Sequence, residues 1–141
     1  MKKALVSSYF KDDELLRSAD LLLKRGYEIY ASAGTQKYLK ENGRAAKKLS
    51  DITGFDAKAD ERVKTLSTVV YEGILSEKLP KGHPLYGVEI IYVKLYPFEK
   101  DPKFPKNREL VDIGGVSLIR AGAKNFGKTV SVMNYEDLEM Y

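Results

Sequence analysis

Residues 4–31 read ALVSSYFKDDELLRSADLLLKRGYEIYA, and this stretch decides the fold. Its first four residues are a run typical of a short buried strand, and residues 28–31 are a second strand-like run. Between the two runs, apolar side chains recur on one face of a helix, at positions 15, 16, 19, 22 and 23. A strand, a helix and a second strand in this order predict a βαβ unit with two parallel strands.

Charged residues mark both ends of this predicted helix. Acidic side chains at positions 12–14 precede it, and Lys24 and Arg25 close it, which is the order that the helix dipole favours. Gly26 follows them, at the place where a glycine commonly ends a helix.

The rest of the chain continues the alternation of strands and helices. We predict further strands at residues 45–49, 88–95 and 129–132, and helices at residues 36–41, 66–75, 116–123 and 135–140. The run 88–95 is the longest and is predicted to be the central strand. The pattern indicates a single α/β domain over residues 1–141, a three-layer sandwich in which helices cover both faces of a parallel sheet. In such folds ligands bind beyond the carboxyl ends of the strands.

The composition narrows the possible chemistry. The 141 residues include 43% hydrophobic side chains, no cysteine and one histidine, His83. These counts exclude disulfides, thiolate–metal sites, a thiol nucleophile and any metal site built on several histidines. An enzyme with this composition has to use Lys, Asp, Tyr, Ser, Thr and backbone groups. His83 lies in a Pro/Gly loop and is most simply an exposed histidine.

The charge and hydropathy of the chain indicate which partners to expect. The net charge of +4 suits an anionic small molecule and falls short of the clustered basic surface of a nucleic-acid-binding protein. No apolar run reaches the roughly 18 residues that a membrane span needs, and the apolar start is too short for a signal peptide. We therefore expect a cytoplasmic protein with no nucleic-acid or membrane partner. Frequent Lys and Glu with few Asn, Gln and Met are typical of a thermophile.

A phosphate-binding turn is the first candidate site. Ser32, Ala33, Gly34 and Thr35 follow the second predicted strand and open a helix. Small residues let backbone N–H groups approach an anion, and the N-terminus of a helix favours negative charge. The alternative is an ordinary helix cap, which the same residue types also make.

Two further segments carry charged side chains. Arg62 and Lys64, with Thr65 beside them, share a face if the segment is extended, and two such cations can grip a phosphate or polarise a carbonyl. The alternative is solvated surface. Asp112 precedes a predicted helix and is either its cap or a general base. Lys124 ends that helix, where the dipole alone favours a cation.

Eight segments, in order from residue 4 to residue 125, together resemble one family. In one-letter code they are ALVS (4–7), ASAGT (31–35), DITGF (51–55), RVKTL (62–66), GIL (73–75), LYPF (95–98), DIGG (112–115) and RAGAKN (120–125). Their order and spacing are similar to those of the inosine monophosphate cyclohydrolase domain. That domain has the methylglyoxal-synthase-like fold, a Rossmann- or flavodoxin-like α/β sandwich. It is normally fused to a transformylase domain, and we expect a stand-alone unit here.

The resemblance implies a reaction that closes the purine ring. The family's substrate is 5-formamidoimidazole-4-carboxamide ribonucleotide, its product is inosine monophosphate, and water leaves. No metal or organic cofactor is implied. The family pairs as dimers, so a homodimer is expected, with a separate formyltransferase protein supplying the formylated substrate.

The resemblance also implies roles for individual residues. Catalytic or site-lining roles fall on Lys64, Asp112, Lys124 and Tyr96. Phosphate or substrate binding falls on Ser7, Lys11, Ser32, Gly34, Thr35, Arg62, Thr65, Ile113 and Gly114. The two lysines would stabilise charge on the formyl oxygen and Asp112 would take a proton from the carboxamide; which lysine is the acid stays open. Taken alone, Tyr96 is most simply a partly buried core tyrosine.

The chain departs from the family pattern at several positions. Ser67 and Thr68 stand where the family has His-Pro, Tyr71 replaces a second histidine, Lys94 replaces an asparagine, and Tyr9 replaces a small hydroxyl residue. The change at Lys94 bears on base recognition, because an amide both donates and accepts hydrogen bonds while lysine only donates.

Two other functions fit the same fold. A non-catalytic regulatory module, such as the allosteric nucleotide-binding domain of large carbamoyl phosphate synthetases, also binds phosphate at a glycine-containing turn. It does not need the Arg62–Lys64 segment or the pair Asp112 and Lys124, and their presence favours the cyclohydrolase. A methylglyoxal synthase would need an aspartate cluster and a histidine, and His83 stands in a different context.

Overall fold

The computed structural model describes residues 1–54, 65–98 and 106–141, with only the backbone at 106, and its strands form one parallel sheet. The strands are β1 (Lys3–Ser8), β2 (Glu28–Ala31), β3 (Lys47–Lys48), β4 (Val88–Lys94) and β5 (Val130–Val132). The helices are α1 (Asp13–Lys24), α2 (Ala33–Glu41), α3 (Ser50–Thr53), α4 (Thr68–Leu75), α5 (Gly114–Lys124) and α6 (Tyr135–Met140). A 3-10 helix, Lys106–Leu110, precedes α5. The strand order is β3-β2-β1-β4-β5.

The predicted βαβ unit is confirmed, and its helix has the predicted ends. The Asp12 side chain caps α1 by accepting a hydrogen bond from the Leu15 N–H at 3.0 Å. Gly26 follows the helix with a φ of +80°, a left-handed conformation that costs glycine little. Strands β1 and β2 then pair in parallel, with Val6 opposite Ala31.

The position of β1 between β2 and β4 determines where a ligand can bind. After β1 the chain adds β2 and then β3 on one side of it. Later it adds β4 and then β5 on the other side of β1. Such a reversal is the point at which open α/β sheets leave a crevice at the carboxyl ends of their strands. Ser8, at the end of β1, lies opposite Lys94 at the end of β4.

Two apolar clusters, one on each face of the sheet, make up the core. Along β4 the buried side chains alternate, with Ile90 and Tyr92 in one cluster and Ile91 and Val93 in the other. The first cluster contains the apolar faces of α1 and α6, and the second contains those of α4 and α5. The predicted three-layer α/β sandwich is therefore confirmed.

Several predicted boundaries differ from the structure. The central strand is β1 and not β4; the long apolar run of β4 reflects burial on both faces, which every interior strand of a parallel sheet shares. Helix α2 begins three residues earlier than predicted, directly after β2, and β3 has only two residues. In residues 1–54, 65–98 and 106–141, no helix combines the length and apolar character that a membrane span requires.

Candidate active site

A cavity of about 870 Å³ lies at the carboxyl ends of β1, β2 and β4, where the topology predicts a ligand. This volume is within the range of small-molecule sites. The described residues that line it are Ser7, Ser8, Tyr9, Lys11, Ser32, Gly34, Thr35, Thr65, Lys94, Tyr96, Arg108, Glu109, Val111, Asp112, Ile113, Gly114 and Gly115. Ten of the residues predicted from the sequence are among them.

The turn between β2 and α2 forms one end of the cavity. Ser32 stands at the cap position of α2, yet its side chain makes no hydrogen bond to a first-turn N–H group. The first N–H groups of a helix have no partner within it. The backbone donors beside Gly34 therefore stay available to an anion, and the helix dipole adds positive potential at the same place.

The Thr35 hydroxyl has a structural role in this turn. It is fully buried, accepts hydrogen bonds from the Ser8 N–H at 3.1 Å and the Ser32 hydroxyl at 3.0 Å, and donates to the Ser8 carbonyl at 3.2 Å. These contacts use the hydroxyl's donor and both of its acceptor sites. Thr35 thus ties the end of β1 to the start of α2, and its hydroxyl has no hydrogen-bonding capacity left for a ligand.

A lysine covers the same turn from the β1 side. The Lys11 ammonium donates to the backbone carbonyls of Ser8 and of Tyr9, the latter at 3.2 Å. Its side chain passes over Gly34, whose Cβ, if present, would lie 3.9 Å from the Lys11 Cε atom. The cation is therefore held close to the backbone donors of α2.

Asp112 caps α5 with its own carboxylate. One oxygen accepts from the Gly115 N–H at 2.6 Å, and the other lies 3.4 Å from the Tyr96 N–H. A carboxylate has about four acceptor positions, so it retains capacity for a ligand. The two interpretations of Asp112, cap and reactive carboxylate, are compatible because the group also faces the cavity.

Close packing around Asp112 requires the two glycines that follow Ile113. A Cβ at Gly115 would lie 2.8 and 2.9 Å from the Asp112 oxygens, and a Cβ at Gly114 would lie 2.5 Å from the Thr65 hydroxyl. That hydroxyl is buried and has no hydrogen-bond partner among the described residues. Buried hydroxyl groups normally have partners, so an unpaired one in a cavity wall is suited to a ligand.

Aromatic side chains form part of the cavity wall and its rim. Tyr9 makes edge contacts with Tyr96, at 5.0 Å between ring centroids, and with Phe10, at 5.2 Å. All three rings are partly exposed. Tyr96 therefore does not occupy the core position that the sequence alone predicts for it.

Lys94 enters the cavity wall as one half of an ion pair. Its ammonium lies 2.9 Å from both carboxylate oxygens of Glu14. Burial by itself raises the pKa of Glu14, but hydrogen bonds from Lys94 and the Tyr135 N–H, together with the charge of Lys94, outweigh that effect and lower the pKa. The pair couples the end of β4 to the first turn of α1.

Arg108 and Glu109 line the cavity and were missed by the sequence analysis. They lie in the 3-10 helix that precedes α5, with the Arg108 Nε atom 3.6 Å from a Glu109 carboxylate oxygen. Their place in the sequence could have indicated this, because a segment that leads directly into Asp112 has to approach the same cavity.

Three predicted site residues are not among the described residues that line the cavity. Arg62 and Lys64 fall outside the described residues. Lys124 is exposed at the C-terminal end of α5, while the cavity is at the N-terminal end of that helix, about 15 Å away at the usual rise per residue. Its catalytic role stays a prediction. In the described part of the chain, no three His, Cys, Asp or Glu side chains gather where they could hold a metal ion.

Sequence comparison identifies the family. The family described as "MGS-like domain" matches residues 14–119. The chain belongs to this family. That match includes the turn at residues 32–35 and Asp112, and it confirms the predicted fold. A crystal structure of ForH superimposes on this MGS-like domain with a TM-score of 0.80 and 26% identity, over 99% of this chain and 76% of that one.

Bifunctional purine biosynthesis proteins are among the curated relatives that resemble this MGS-like domain. The bifunctional purine biosynthesis protein PurH of Clostridium botulinum is 37% identical over 99% of this chain, and that of Clostridium perfringens strain 13 is 39% identical over 99%. The PurH of Aquifex aeolicus is 40% identical over 97%. The chain spans about 30% of the length of these relatives. The predicted homology to the bifunctional purine-biosynthesis enzyme is confirmed.

Proposed function

We propose that this MGS-like domain is an inosine monophosphate cyclohydrolase. In the proposed reaction the carboxamide nitrogen of the formamido ribonucleotide attacks the formyl carbon, forming the ring C–N bond. The formyl oxygen then leaves as water, with one proton from the carboxamide nitrogen and one from the formamido nitrogen. The main support is one observation: the cavity brings together the N-terminus of α2, with its small-residue turn, and a carboxylate with backbone donors at a second helix N-terminus.

The turn at the start of α2 is assigned to the phosphate. The uncapped N–H groups beside Gly34 and the Lys11 ammonium supply donors and positive charge, and the Ser7 and Ser32 hydroxyls lie 3.4 Å apart at the same place. Binding here fixes one end of the substrate. Fixing the substrate also helps the reaction, because ring closure depends on holding a weak nucleophile against its target carbon.

The start of α5 is assigned to the reacting groups. Asp112 retains acceptor capacity and takes the proton that the carboxamide nitrogen releases. Two donors serve the oxygen that becomes negative during attack: the Gly114 N–H, which has no partner within the helix, and the Thr65 hydroxyl, which has no partner among the described residues. Tyr96 forms the wall beside them. Lys64 and Lys124 keep the catalytic roles implied by the family resemblance.

A nucleotide-binding regulatory module is the second candidate. The observation that favours it is the position of Lys124, which lies at the far end of α5 from the cavity. A module of this kind would use the phosphate turn and would not need that lysine. The two proposals differ in turnover, since both include nucleotide binding.

The deciding experiment supplies the purified chain with the formamido ribonucleotide and follows inosine monophosphate by absorbance. Turnover well above the uncatalysed rate supports the cyclohydrolase. Tight binding of inosine monophosphate without turnover contradicts it and supports the regulatory module. Lys124→Ala adds a separate test, because unchanged turnover in that variant would remove the catalytic role of this lysine without affecting the activity itself.

Asp112→Asn tests the assignment of the base. We expect kcat to fall by about 10²–10⁴-fold, since the amide cannot accept the proton. Asp12→Asn is the matched control, because Asp12 also caps a helix through its carboxylate, at 3.0 Å from the Leu15 N–H, but does not line the cavity. Asparagine caps a helix about as well as aspartate. Equal turnover in the two variants would refute the role of Asp112.

A further inference from the structure

Lys94 is fixed at the junction between the two halves of the cavity. It ends β4 opposite Ser8, and its backbone carbonyl accepts a hydrogen bond from the Tyr9 N–H at 3.0 Å. Its side chain is only 21% exposed and lines the cavity. Lys94 lies two strands away from β2, which leads into the phosphate turn, a separation of about 10 Å at the usual strand spacing. It therefore lies on the side of Tyr96 and Asp112.

Glu14 pairs with the Lys94 ammonium from outside the cavity. Its two carboxylate oxygens each lie 2.9 Å from the Lys94 Nζ atom, and it also accepts from the Tyr92 hydroxyl at 3.3 Å and the Tyr135 N–H at 3.0 Å. Glu14 does not line the cavity. The carboxylate is thus anchored by β4 and the start of α6, and it orients the lysine without facing a ligand.

The pairing limits what Lys94 can offer to a ligand. An ammonium has three N–H donors and no acceptor, and at most two of them point to the two Glu14 oxygens. The carboxylate also offsets most of the positive charge. Among the contacts between described residues, an oriented donor remains for a ligand, which favours a neutral acceptor such as a carbonyl oxygen and disfavours an amino group.

We propose that Lys94, positioned by Glu14, is a specificity-determining residue that recognises the exocyclic oxygen of the base. This inference rests on the proposed function and identifies a determinant of its ligand class: a nucleoside monophosphate with an oxo group, not an amino group, at the six position. Lys94 recognises the edge of the base. The turn at Gly34 binds the phosphate, which the oxo and the amino nucleotides share.

Calorimetric titration with inosine monophosphate and adenosine monophosphate tests the proposal. We expect the unmodified chain to bind the oxo nucleotide at least about tenfold more tightly, the scale of one hydrogen bond from a charged donor. Lys94→Met should reduce this ratio to within about threefold of unity. Lys2→Met is the matched control, because Lys2 pairs with Glu89 at 3.1 Å away from the cavity and its loss should leave the ratio unchanged.

The role of Glu14 is tested by Glu14→Gln and by the double variant with Lys94→Met. Glu14→Gln should lower the binding ratio, and the double variant should lower it no further than Lys94→Met alone, because both changes act through one contact. The double variant also avoids an unpaired carboxylate if the single lysine variant does not fold. Independent, additive effects would overturn the positioning role.

The outcomes separate this inference from the proposed function. Turnover with a binding ratio that Lys94→Met leaves unchanged overturns the role of Lys94 alone. A chain that neither binds inosine monophosphate nor turns over the formamido ribonucleotide overturns both. A lost preference in the Lys94→Met variant, with the Lys2→Met control intact, supports the inference.

Discussion

Replacing Thr35 by valine isolates the contact that joins the turn between β2 and α2, the proposed phosphate site, to the sheet. Valine keeps the shape of threonine but removes a hydroxyl that makes three hydrogen bonds to Ser8 and Ser32. The Ser8 N–H then has no partner in a position that is 6% exposed. We expect both a less stable chain and a looser phosphate turn.

The size of the effect follows from which groups lose a partner. A buried donor left unsatisfied costs about 1–3 kcal/mol, and each further hydrogen bond contributes about 1 kcal/mol net. The Ser8 carbonyl keeps the Lys11 ammonium, and the Ser32 hydroxyl is partly exposed, so these two groups lose less than the N–H. The free energy of unfolding should fall by about 2–4 kcal/mol.

Urea denaturation measures this loss, with Thr35→Ser as the control. Serine keeps the hydroxyl and removes one buried methyl group, which costs about 1 kcal/mol. The midpoint should shift for valine without a change in the denaturant slope, since the surface exposed on unfolding is the same. The affinity for inosine monophosphate should fall only in the valine variant. Equal stability and equal affinity of the two variants would refute the structural role of the hydroxyl.

Two further predictions concern packing and pH. In Gly122→Ala the new Cβ meets the Ser131 hydroxyl, so the free energy of unfolding should fall by about 1–3 kcal/mol despite the helix propensity of alanine. Gly82→Ala is the control: it has open space around it and should change the free energy of unfolding little. The folded-state pKa of Glu14 is lowered, so its stabilising contribution is present above its ordinary value of 4.5 and is lost as pH falls through the lowered pKa. Glu14→Gln should therefore flatten the acid loss of stability in denaturation series at several pH values; an unchanged acid profile would contradict the coupling to Lys94.

Local sequence patterns were sufficient to predict helices that have a clear apolar face or clear end signals. Helix α1 was predicted from its apolar face and its caps, and the bounds predicted for α6 are the observed ones. The place of β1 at the centre of the sheet was not predictable in this way, because strand order depends on pairing between distant segments. Helix α2 was predicted too short, since its first turn is itself the Ser-Ala-Gly-Thr connection after β2.

The residues of the candidate site also differ in whether local sequence predicts them. Ser32, Gly34 and Asp112 stand directly at strand ends or helix starts, where sequence position alone predicts proximity to the cavity. The pairing of Glu14 with Lys94 joins positions 80 residues apart, and in the sequence Glu14 is one of several acids that suit a helix N-terminus. Arg108 was missed because no motif marks its 3-10 helix, although the position of that segment directly before Asp112 was an available signal.

The two outermost strands determine how copies of this chain can meet. Strand β3 has two residues, both exposed lysines, and β5 has three. A strand from another molecule would gain only a few backbone hydrogen bonds at either side and would meet positive charge at one of them. Among the described residues, these two edge strands thus offer little backbone to an added strand, which favours contacts through helices and loops, where side chains select the partner.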